Sequence, residues 1–108
     1  MIGGGNYVGK TSYFQSYFKK SYDPGMIPTL GPYYEIIESL NNVRFNLWDS
    51  RDTWRYISIM TYHIKIADGI ILLFDLSRKE EFDNLPNLLK MITEIHEMED
   101  FPVLLVGN

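Results

Sequence analysis

The clearest chemical signal in this sequence lies close to its first methionine. Residues 4–11 read Gly-Gly-Asn-Tyr-Val-Gly-Lys-Thr and match the pattern G-x-x-x-x-G-K-[ST]. In such a loop the glycines let the main chain turn closely around an anion, and backbone N–H groups at a helix N-terminus bind phosphate oxygens. The lysine reaches the β- and γ-phosphates, and the threonine hydroxyl ligates Mg²⁺. The sequence thus predicts a nucleotide phosphate site formed by Gly4, Gly5, Asn6, Tyr7, Val8, Gly9, Lys10, Thr11 and Ser12.

A glycine-rich turn can match this pattern by chance, so its context matters. Tyr13, Phe14, Tyr17 and Phe18 follow the loop at spacings of one, three and four residues. That spacing predicts a helix over residues 11–20 with one apolar face. A helix that begins directly at the loop is what phosphate binding by this motif requires.

The rest of the chain predicts a three-layer α/β domain. Residues 33–40 and 43–49 are β-rich runs separated by Asn41-Asn42, which indicates an antiparallel hairpin. Residues 69–74 form a continuous apolar run, as in a strand of a parallel sheet that is buried on both faces. Residues 103–106 predict a second buried strand. The order predicts a mostly parallel sheet with one antiparallel hairpin strand.

The remaining segments differ in how strongly their patterns predict a helix. Apolar residues between Leu85 and Met98 keep helix spacing, and we expect Asn84 to be the N-cap and Pro86 to lie in the first turn. Residues 53–65 are only weakly amphipathic, and residues 21–32 read as a long loop. His63 and His96 lack partners at metal-ligand spacing, so we expect surface or half-buried positions. Asp75, at a strand end, is interpreted as structural.

Composition narrows the classes of function. The 108 residues are 45% hydrophobic and 22% charged, as in a single globular domain. A formal charge of −4 without a Lys/Arg-rich tract argues against a general nucleic-acid binder. The chain has no cysteine, which excludes a disulfide, a thiolate metal site and a direct lipid anchor within it. Without a signal-peptide pattern, we expect a cytoplasmic protein.

Three further segments follow the loop in an order that a known family shares. Residues 28–31 read Pro-Thr-Leu-Gly, residues 48–50 read Trp-Asp-Ser, and residues 104–108 read Leu-Leu-Val-Gly-Asn. Residues 67–71 and 80–84 are similar to segments of the same family. With these motifs the whole chain resembles the Ras superfamily of small GTP-binding proteins, and its Rab branch most.

The resemblance implies a P-loop small G-protein fold that binds GTP or GDP and Mg²⁺ and acts as a switch, as Rab proteins do in vesicle traffic. It implies Mg²⁺ ligation by Thr11, Thr29 and, through water, Asp49. Asn108 would begin the N-K-x-D motif. Exchange factors, activating proteins and effectors would be the partners.

The chain departs from that pattern after Asp49. Arg51, Asp52 and Thr53 stand where the family has Ala-Gly-Gln. Asp52 brings a Cβ and a negative charge toward the γ-phosphate, and Thr53 lacks the amide that would orient the attacking water. We therefore expect weak hydrolysis at most. The alternatives are a pseudo-GTPase that serves as an interaction scaffold and a non-functional fragment. Tyr7 replaces a usual glycine, so its ring must either point away from the phosphates or obstruct them.

The resemblance also predicts that residues 1–108 form a partial domain. Only Met1 and Ile2 would remain of the central strand before the loop, which would leave its neighbours facing an empty position. The lysine and aspartate of N-K-x-D would follow Asn108, so guanine and adenine are not distinguished here. Membrane association would require a lipidated C-terminal tail.

Overall fold

The computed structural model describes residues 1–17, 33–38, 44–50, 57–96 and 100–108, and of residues 17, 33–38 and 44–45 only the backbone. Strands and helices alternate along the chain in the way that builds an α/β domain. In order, they are β1 (Ile2–Gly4), α1 (Lys10–Tyr17), β2 (Tyr33–Glu38), β3 (Arg44–Asp49), α2 (Ile57–Ile66), β4 (Ile70–Phe74), α3 (Lys79–His96) and β5 (Val103–Gly107).

The five strands form one sheet in the order β2-β3-β1-β4-β5. β2 and β3 pair antiparallel, and β1 is parallel to both β3 and β4. β4 and β5 are also parallel. These pairings confirm the predicted α/β class with a mostly parallel sheet and an antiparallel hairpin strand. The strand order reverses at β1, and in such sheets ligands bind beyond the carboxyl ends of the strands at that point.

Side chains of the central strands alternate between two apolar cores, one on each face of the sheet. On one face, Ile70 and Leu72 of β4 are buried together with residues of α2 and α3. Fully burying a Leu, Ile or Met side chain contributes about 1.5–3 kcal/mol, so this face anchors both helices. The buried members of this core are Met1, Met60, Ile64, Ile70, Leu72, Leu88 and Ile92.

The opposite face of the sheet is covered by α1. Ile2, Val8, Phe14 and Leu73 are buried together there, each 1% exposed or less. Phe14 of the predicted aromatic face is buried, whereas the ring of Tyr13 is 39% exposed. The side chains of Tyr17 and Phe18 lie outside the described part of the chain. Helices therefore lie on both faces of the sheet, which is the three-layer arrangement that the sequence predicted.

β1 extends further than the sequence indicated. Gly3 and Gly4 pair with Leu72 and Leu73, and Ile2 lies between Asp49 of β3 and Ile71 of β4. β1 therefore pairs with β4, but beside β3 it reaches only Asp49. The expected empty position remains beside residues 44–48 of β3, which have no partner in β1. The backbone of β1 leads into the loop at the centre of the sheet.

Two helical assignments also needed correction. α2 was not predicted because Ile, Thr and Ser are modest helix formers; Met60, His63 and Ile64, buried on one helix face, stabilise it instead. α3 begins at Lys79, so Asn84 is not its N-cap and Pro86 lies inside the helix rather than in its first turn. Among the helices that the structure describes, none is long and apolar enough to cross a bilayer.

β5 is present at residues 103–107, but its predicted burial is wrong. The strand lies at an end of the sheet, with β4 as its neighbour. Leu104 is 55% exposed and Leu105 is 47% exposed. Because adjacent strand residues point to opposite faces, both faces of β5 carry apolar surface that contacts water.

Candidate functional site

The loop predicted to bind phosphate connects the central strand directly to a helix. Gly4 has a φ of 138° and Gly9 a φ of 92°, conformations that glycine adopts readily. A Cβ at Gly4 would lie 2.1 Å from the carbonyl oxygen of Leu73, so only glycine lets β1 approach β4 this closely. The Tyr13 N–H donates to the Gly9 carbonyl at 2.8 Å and closes the first turn of α1.

Tyr7 lies at the outer side of this loop. Its φ is 60°, a left-handed conformation that costs a residue with a Cβ roughly 1–2 kcal/mol. The side chain is 80% exposed, so the ring projects into solvent, as the sequence required for an accessible loop. The loop therefore holds backbone strain at a residue that contributes little packing.

Lys10, the first residue of α1, turns its ammonium back over the loop. The side chain is buried, and Nζ donates to the carbonyls of Gly5 at 2.5 Å and Gly4 at 3.3 Å. A buried cation needs such hydrogen bonds. The ammonium also lies near enough to Asp49 for its charge to lower the pKa of that carboxyl.

Thr11 and Asp49 meet where β1 and β3 end side by side. The Thr11 hydroxyl donates to Asp49 Oδ2 at 2.5 Å across 38 residues of sequence. Asp49 is fully buried, and its second oxygen, Oδ1, lacks a hydrogen-bond partner among the described residues. Burial raises the pKa of Asp49, and the Thr11 hydrogen bond and the Lys10 charge only partly oppose this shift.

These groups fit Mg²⁺, which prefers oxygen ligands and is held in nucleotide sites by a few protein oxygens together with phosphates and water. The fit rests on the hydroxyl of Thr11 and on the orphaned Oδ1 of Asp49. Within the described ranges no group of three or more His, Asp or Glu side chains is placed to hold a metal. A cation here would therefore depend on phosphate oxygens and water as well.

Asn108, directly after β5, contacts the same loop. Its Nδ2 donates to the Val8 carbonyl at 3.0 Å, and a Cβ on Gly9 would lie 2.5 Å from that nitrogen. The backbone N–H of Asn108 donates to the Phe74 carbonyl at 2.9 Å. The ends of β1, β3 and β5 thus converge on one region, which holds Lys10, Thr11, Asp49 and Asn108.

Other predicted site residues cannot be placed in the same way. Thr29, Asp52 and Thr53 lie outside the described residues. Ser12 is partly buried on α1, next to Thr11.

Two histidines and one aspartate were predicted to have no role in the site. His63 is buried rather than exposed or half-buried, with its ring 4.7 Å from that of Trp48, and burial lowers its pKa. His96 is partly buried and stacks on Phe101 at 3.7 Å. Asp75 accepts hydrogen bonds from Ser77 in the turn after β4.

Arg78 and Glu81, which follow the carboxyl end of β4, contact the loop, and no sequence pattern predicts these contacts. Arg78 Nη2 donates to the Asn6 carbonyl at 2.5 Å, and the Glu81 carboxylate lies against Gly5. They are separated from the loop by more than 70 positions, and neither belongs to the loop motif. Only the sheet order, which places β4 beside β1, brings them there.

The site lies on a glycine loop between the central strand and a helix, and it holds a buried lysine and a Thr–Asp pair. The loop also lies where the strand order reverses. These features define an α/β phosphate-loop domain. The Ras family model matches residues 1–108. Over 111 aligned residues the chain is 35% identical to the Ras-related protein Rab-12 of Mus musculus, covering all of this chain and 45% of the relative. The chain belongs to the Ras family.

Two other relatives show the extent of the similarity. The Ras-related protein Rab-3A of Homo sapiens is 30% identical over 111 residues, covering all of this chain and 50% of that protein. The human EF-hand calcium-binding domain-containing protein 4B is 34% identical over 109 residues, which cover 97% of this chain and 15% of that protein. The chain spans about half the length of the Rab relatives.

Proposed function

We propose that this chain is the phosphate- and Mg²⁺-binding part of a Rab-like GTP-binding switch that acts in vesicle traffic. One observation carries the proposal. Lys10, Thr11 and Asp49 converge at the carboxyl ends of β1 and β3, with a buried Asp49 oxygen that has no partner within the described ranges. Membership of the Ras family and similarity to Rab proteins support guanine nucleotide as the ligand.

Different groups of the site are proposed to bind the phosphates and Mg²⁺. Backbone N–H groups of residues 5–10 and the positive end of α1 attract phosphate oxygens. Lys10 exchanges its bonds to the Gly4 and Gly5 carbonyls for bonds to the β- and γ-phosphates. Thr11 Oγ1 and, through water, Asp49 would hold Mg²⁺, which would neutralise negative charge on the phosphates.

The switching part of the proposal rests on the resemblance of residues 28–31 and 48–53 to Rab segments. Thr29 is proposed as the third oxygen ligand to Mg²⁺ and as the group that senses the γ-phosphate. Asp52 would place a carboxylate near that phosphate, where like charges repel. Thr53 stands at the position of the catalytic glutamine and is too short to orient water. We therefore propose nucleotide binding with slow hydrolysis.

A pseudo-GTPase scaffold is the second candidate, and the Arg51-Asp52-Thr53 segment favours it. In that case nucleotide would bind but neither be hydrolysed nor change the affinity for partners. Under the first candidate the partners are exchange factors, activating proteins and effectors, which contact the segments that respond to nucleotide. Asn108, held against Val8, is proposed to contact the nucleotide from the other side of the loop.

Titration with fluorescent GDP in the presence of Mg²⁺ tests binding. We expect saturable binding, and we expect Lys10→Ala to abolish it. Lys90→Ala is the matched control because Lys90 lies 76% exposed on α3, paired with Glu94. Wild-type affinity in Lys10→Ala would refute the phosphate site.

A second measurement separates the two candidates. Single-turnover hydrolysis of GTP should be slow but detectable for the switch and absent for the scaffold. Restoring the family residues in the double variant Asp52→Gly/Thr53→Gln should accelerate hydrolysis at least about tenfold if these positions limit it. An unchanged rate would show that the two substitutions are not what slows the reaction.

A further inference from the structure

The turn between β4 and α3 lies against the phosphate loop and is itself tightly hydrogen-bonded. The backbone N–H and the hydroxyl of Ser77 both donate to Asp75 Oδ1, at 2.8 and 2.6 Å. The Arg78 N–H donates to the Asp75 carbonyl at 3.1 Å. These bonds fix the backbone from which the Arg78 side chain extends toward the loop.

The Arg78 guanidinium makes three contacts in different directions. Nε donates to Asp75 Oδ2 at 3.0 Å, and Nη2 lies 3.5 Å from Glu81 Oε1. Nη2 also donates to the carbonyl oxygen of Asn6 at 2.5 Å. A planar guanidinium has donors spaced to bind several acceptors at once, which a lysine ammonium on a flexible stem does not reproduce.

Glu81, in the first turn of α3, contacts the residue before Asn6. A Cβ built on Gly5 would lie 1.7 Å from Glu81 Oε2, so the carboxylate occupies the space that a side chain at position 5 would need. The Glu81 side chain is only 14% exposed. Arg78 thus binds Asn6, and the Glu81 carboxylate lies against the preceding residue, Gly5.

Holding the Asn6 carbonyl has a consequence for the next amide. In a trans peptide the C=O of one residue and the N–H of the following residue point in opposite directions. A carbonyl of Asn6 that is bound by Arg78 therefore directs the Tyr7 N–H away from Arg78. Tyr7 has a φ of 60°, so this peptide stands next to backbone strain that would relax if it were not restrained.

We propose that Arg78 is a positioning residue for the phosphate loop: it binds the Asn6 carbonyl so that the following amides face the nucleotide phosphates. The inference rests on the proposed function, since it assigns Arg78 to the same site. Asp75 and Glu81 act one step further away by fixing the guanidinium. The residue does not touch the nucleotide; it acts through the loop backbone.

Two measurements on the full 108-residue chain test this role. Fluorescent GDP with Mg²⁺ reports affinity, and hydrogen exchange of the nucleotide-free protein reports the order of residues 6–10. We expect Arg78→Ala to weaken GDP binding about tenfold, as for the loss of one hydrogen bond from a charged group. Exchange should accelerate in the loop while the amides of Leu88 and Ile92 in α3 keep their wild-type protection.

Two further variants make the result specific. Arg78→Lys keeps the charge without the planar set of donors, so it should recover only part of the affinity. Lys90→Ala removes an exposed cation from the same helix region and should match the wild type in both measurements. Full recovery by lysine would show that charge alone is responsible, which would overturn the positioning role.

The remaining outcomes distinguish this inference from the proposed function. If Arg78→Ala matches the wild type while Lys10→Ala loses GDP, the inference is overturned and the proposed function stands. If Arg78→Ala accelerates exchange throughout α3 as well, its role is general stability and the inference is overturned. If the wild-type chain binds no GDP, the proposed function fails, and the inference fails with it whatever the exchange rates are.

Discussion

At the level of single side chains, the candidate site keeps opposite charges away from water. Asp49 is fully buried and Lys10 nearly so. Lys10 has two loop carbonyls as acceptors, whereas Asp49 has the Thr11 hydroxyl on one oxygen and a buried second oxygen without a described partner. A buried polar atom without a partner costs roughly 1–3 kcal/mol. Asp49 therefore reduces the stability of the metal-free protein.

The first prediction follows from the burial of the Asp49 charge, which asparagine removes while it keeps an acceptor for the Thr11 hydroxyl. Asp49→Asn should raise the free energy of unfolding of the metal-free chain at pH 7 by about 1 kcal/mol, or a few degrees in Tm. The same change should remove the dependence of GDP affinity on Mg²⁺. Thermal unfolding with EDTA and GDP titration with Mg²⁺ measure the two effects. Asp83→Asn, at an exposed position of α3, is the control for loss of one charge.

The pH dependence gives a second check on Asp49. Burial raises the pKa of Asp49 above its ordinary value of 3.8, so folding favours the protonated form. Well below pH 3.8 the carboxyl is protonated in both the folded and the unfolded state, so its burial does not lower the free energy of unfolding. The penalty grows as the pH rises through 3.8 to the folded-state pKa and is constant above it. The advantage of Asp49→Asn should therefore increase with pH; an advantage that shrinks toward neutral pH would contradict this account.

The sequence predicts those residues of the site that belong to one contiguous motif. Residues 4–11 form a contiguous motif, so the loop and the helix after it followed from spacing alone. Asp49 was placed by resemblance, and the hydrogen bond from Thr11 agrees with that placement. Arg78 and Glu81 could not be predicted, because their contacts with Asn6 and Gly5 depend on which strand lies beside β1.

At the level of elements, α3 shows how a turn can set a helix boundary. The Asp75–Ser77 hydrogen bonds form a turn after β4, and the Glu81 N–H donates to the Arg78 carbonyl at 3.1 Å as the helix begins. Glu80 and Glu81 lie in the first turn, where negative charge interacts favourably with the helix dipole. Pro86 is consequently in the interior, where it lacks the N–H that would bond to the Phe82 carbonyl.

The second prediction concerns this proline. Interior proline costs a helix about 3 kcal/mol relative to alanine, less whatever the helix recovers by bending. Pro86 is exposed, so its replacement removes little packing. Pro86→Ala should raise the free energy of unfolding by about 1–3 kcal/mol, measured by urea denaturation.

Asn84→Ala provides the matched test of the helix boundary. At an exposed interior position, alanine is favoured over asparagine by up to about 0.7 kcal/mol, so the variant should be as stable as the wild type or slightly more stable. If Asn84 were instead the N-cap, the same change would cost about 1 kcal/mol. A destabilised Asn84→Ala together with a neutral Pro86→Ala would place the helix start near residue 85.

Elements with strong local patterns were predicted well, and the others were not. The hairpin of β2 and β3 and the apolar strand β4 follow from alternation and from an uninterrupted apolar run. α2 has a weak pattern, and its helix depends on burial of Met60, His63 and Ile64 against α3 and the sheet. Such packing is decided by tertiary structure, which spacing within one segment does not encode.

At the level of the whole molecule, the position of a strand in the sheet decides its burial. β4 and β5 are both apolar, yet β4 lies between two strands and β5 lies at an end of the sheet. Ile70, Leu72 and Leu73 of β4 are at most 3% exposed, whereas Leu104 and Leu105 are about half exposed. The sequence of β5 alone could not reveal this, because burial depends on what covers the strand.

The third prediction concerns that sheet edge. β5 has the sequence Val-Leu-Leu-Val-Gly, without a charge or a proline, the features with which edge strands usually prevent pairing with another chain. We therefore expect the 108-residue chain to self-associate as its concentration rises, measured by sedimentation velocity.

Leu104→Lys should keep it monomeric with little loss of stability, since that side chain is already 55% exposed. Ile59→Lys, at a similarly exposed apolar residue of α2, should associate like the wild type, since Ile59 is 47% exposed. If Leu104→Lys associates as readily as the wild type, association proceeds through another surface, and the exposed edge of β5 is not its cause.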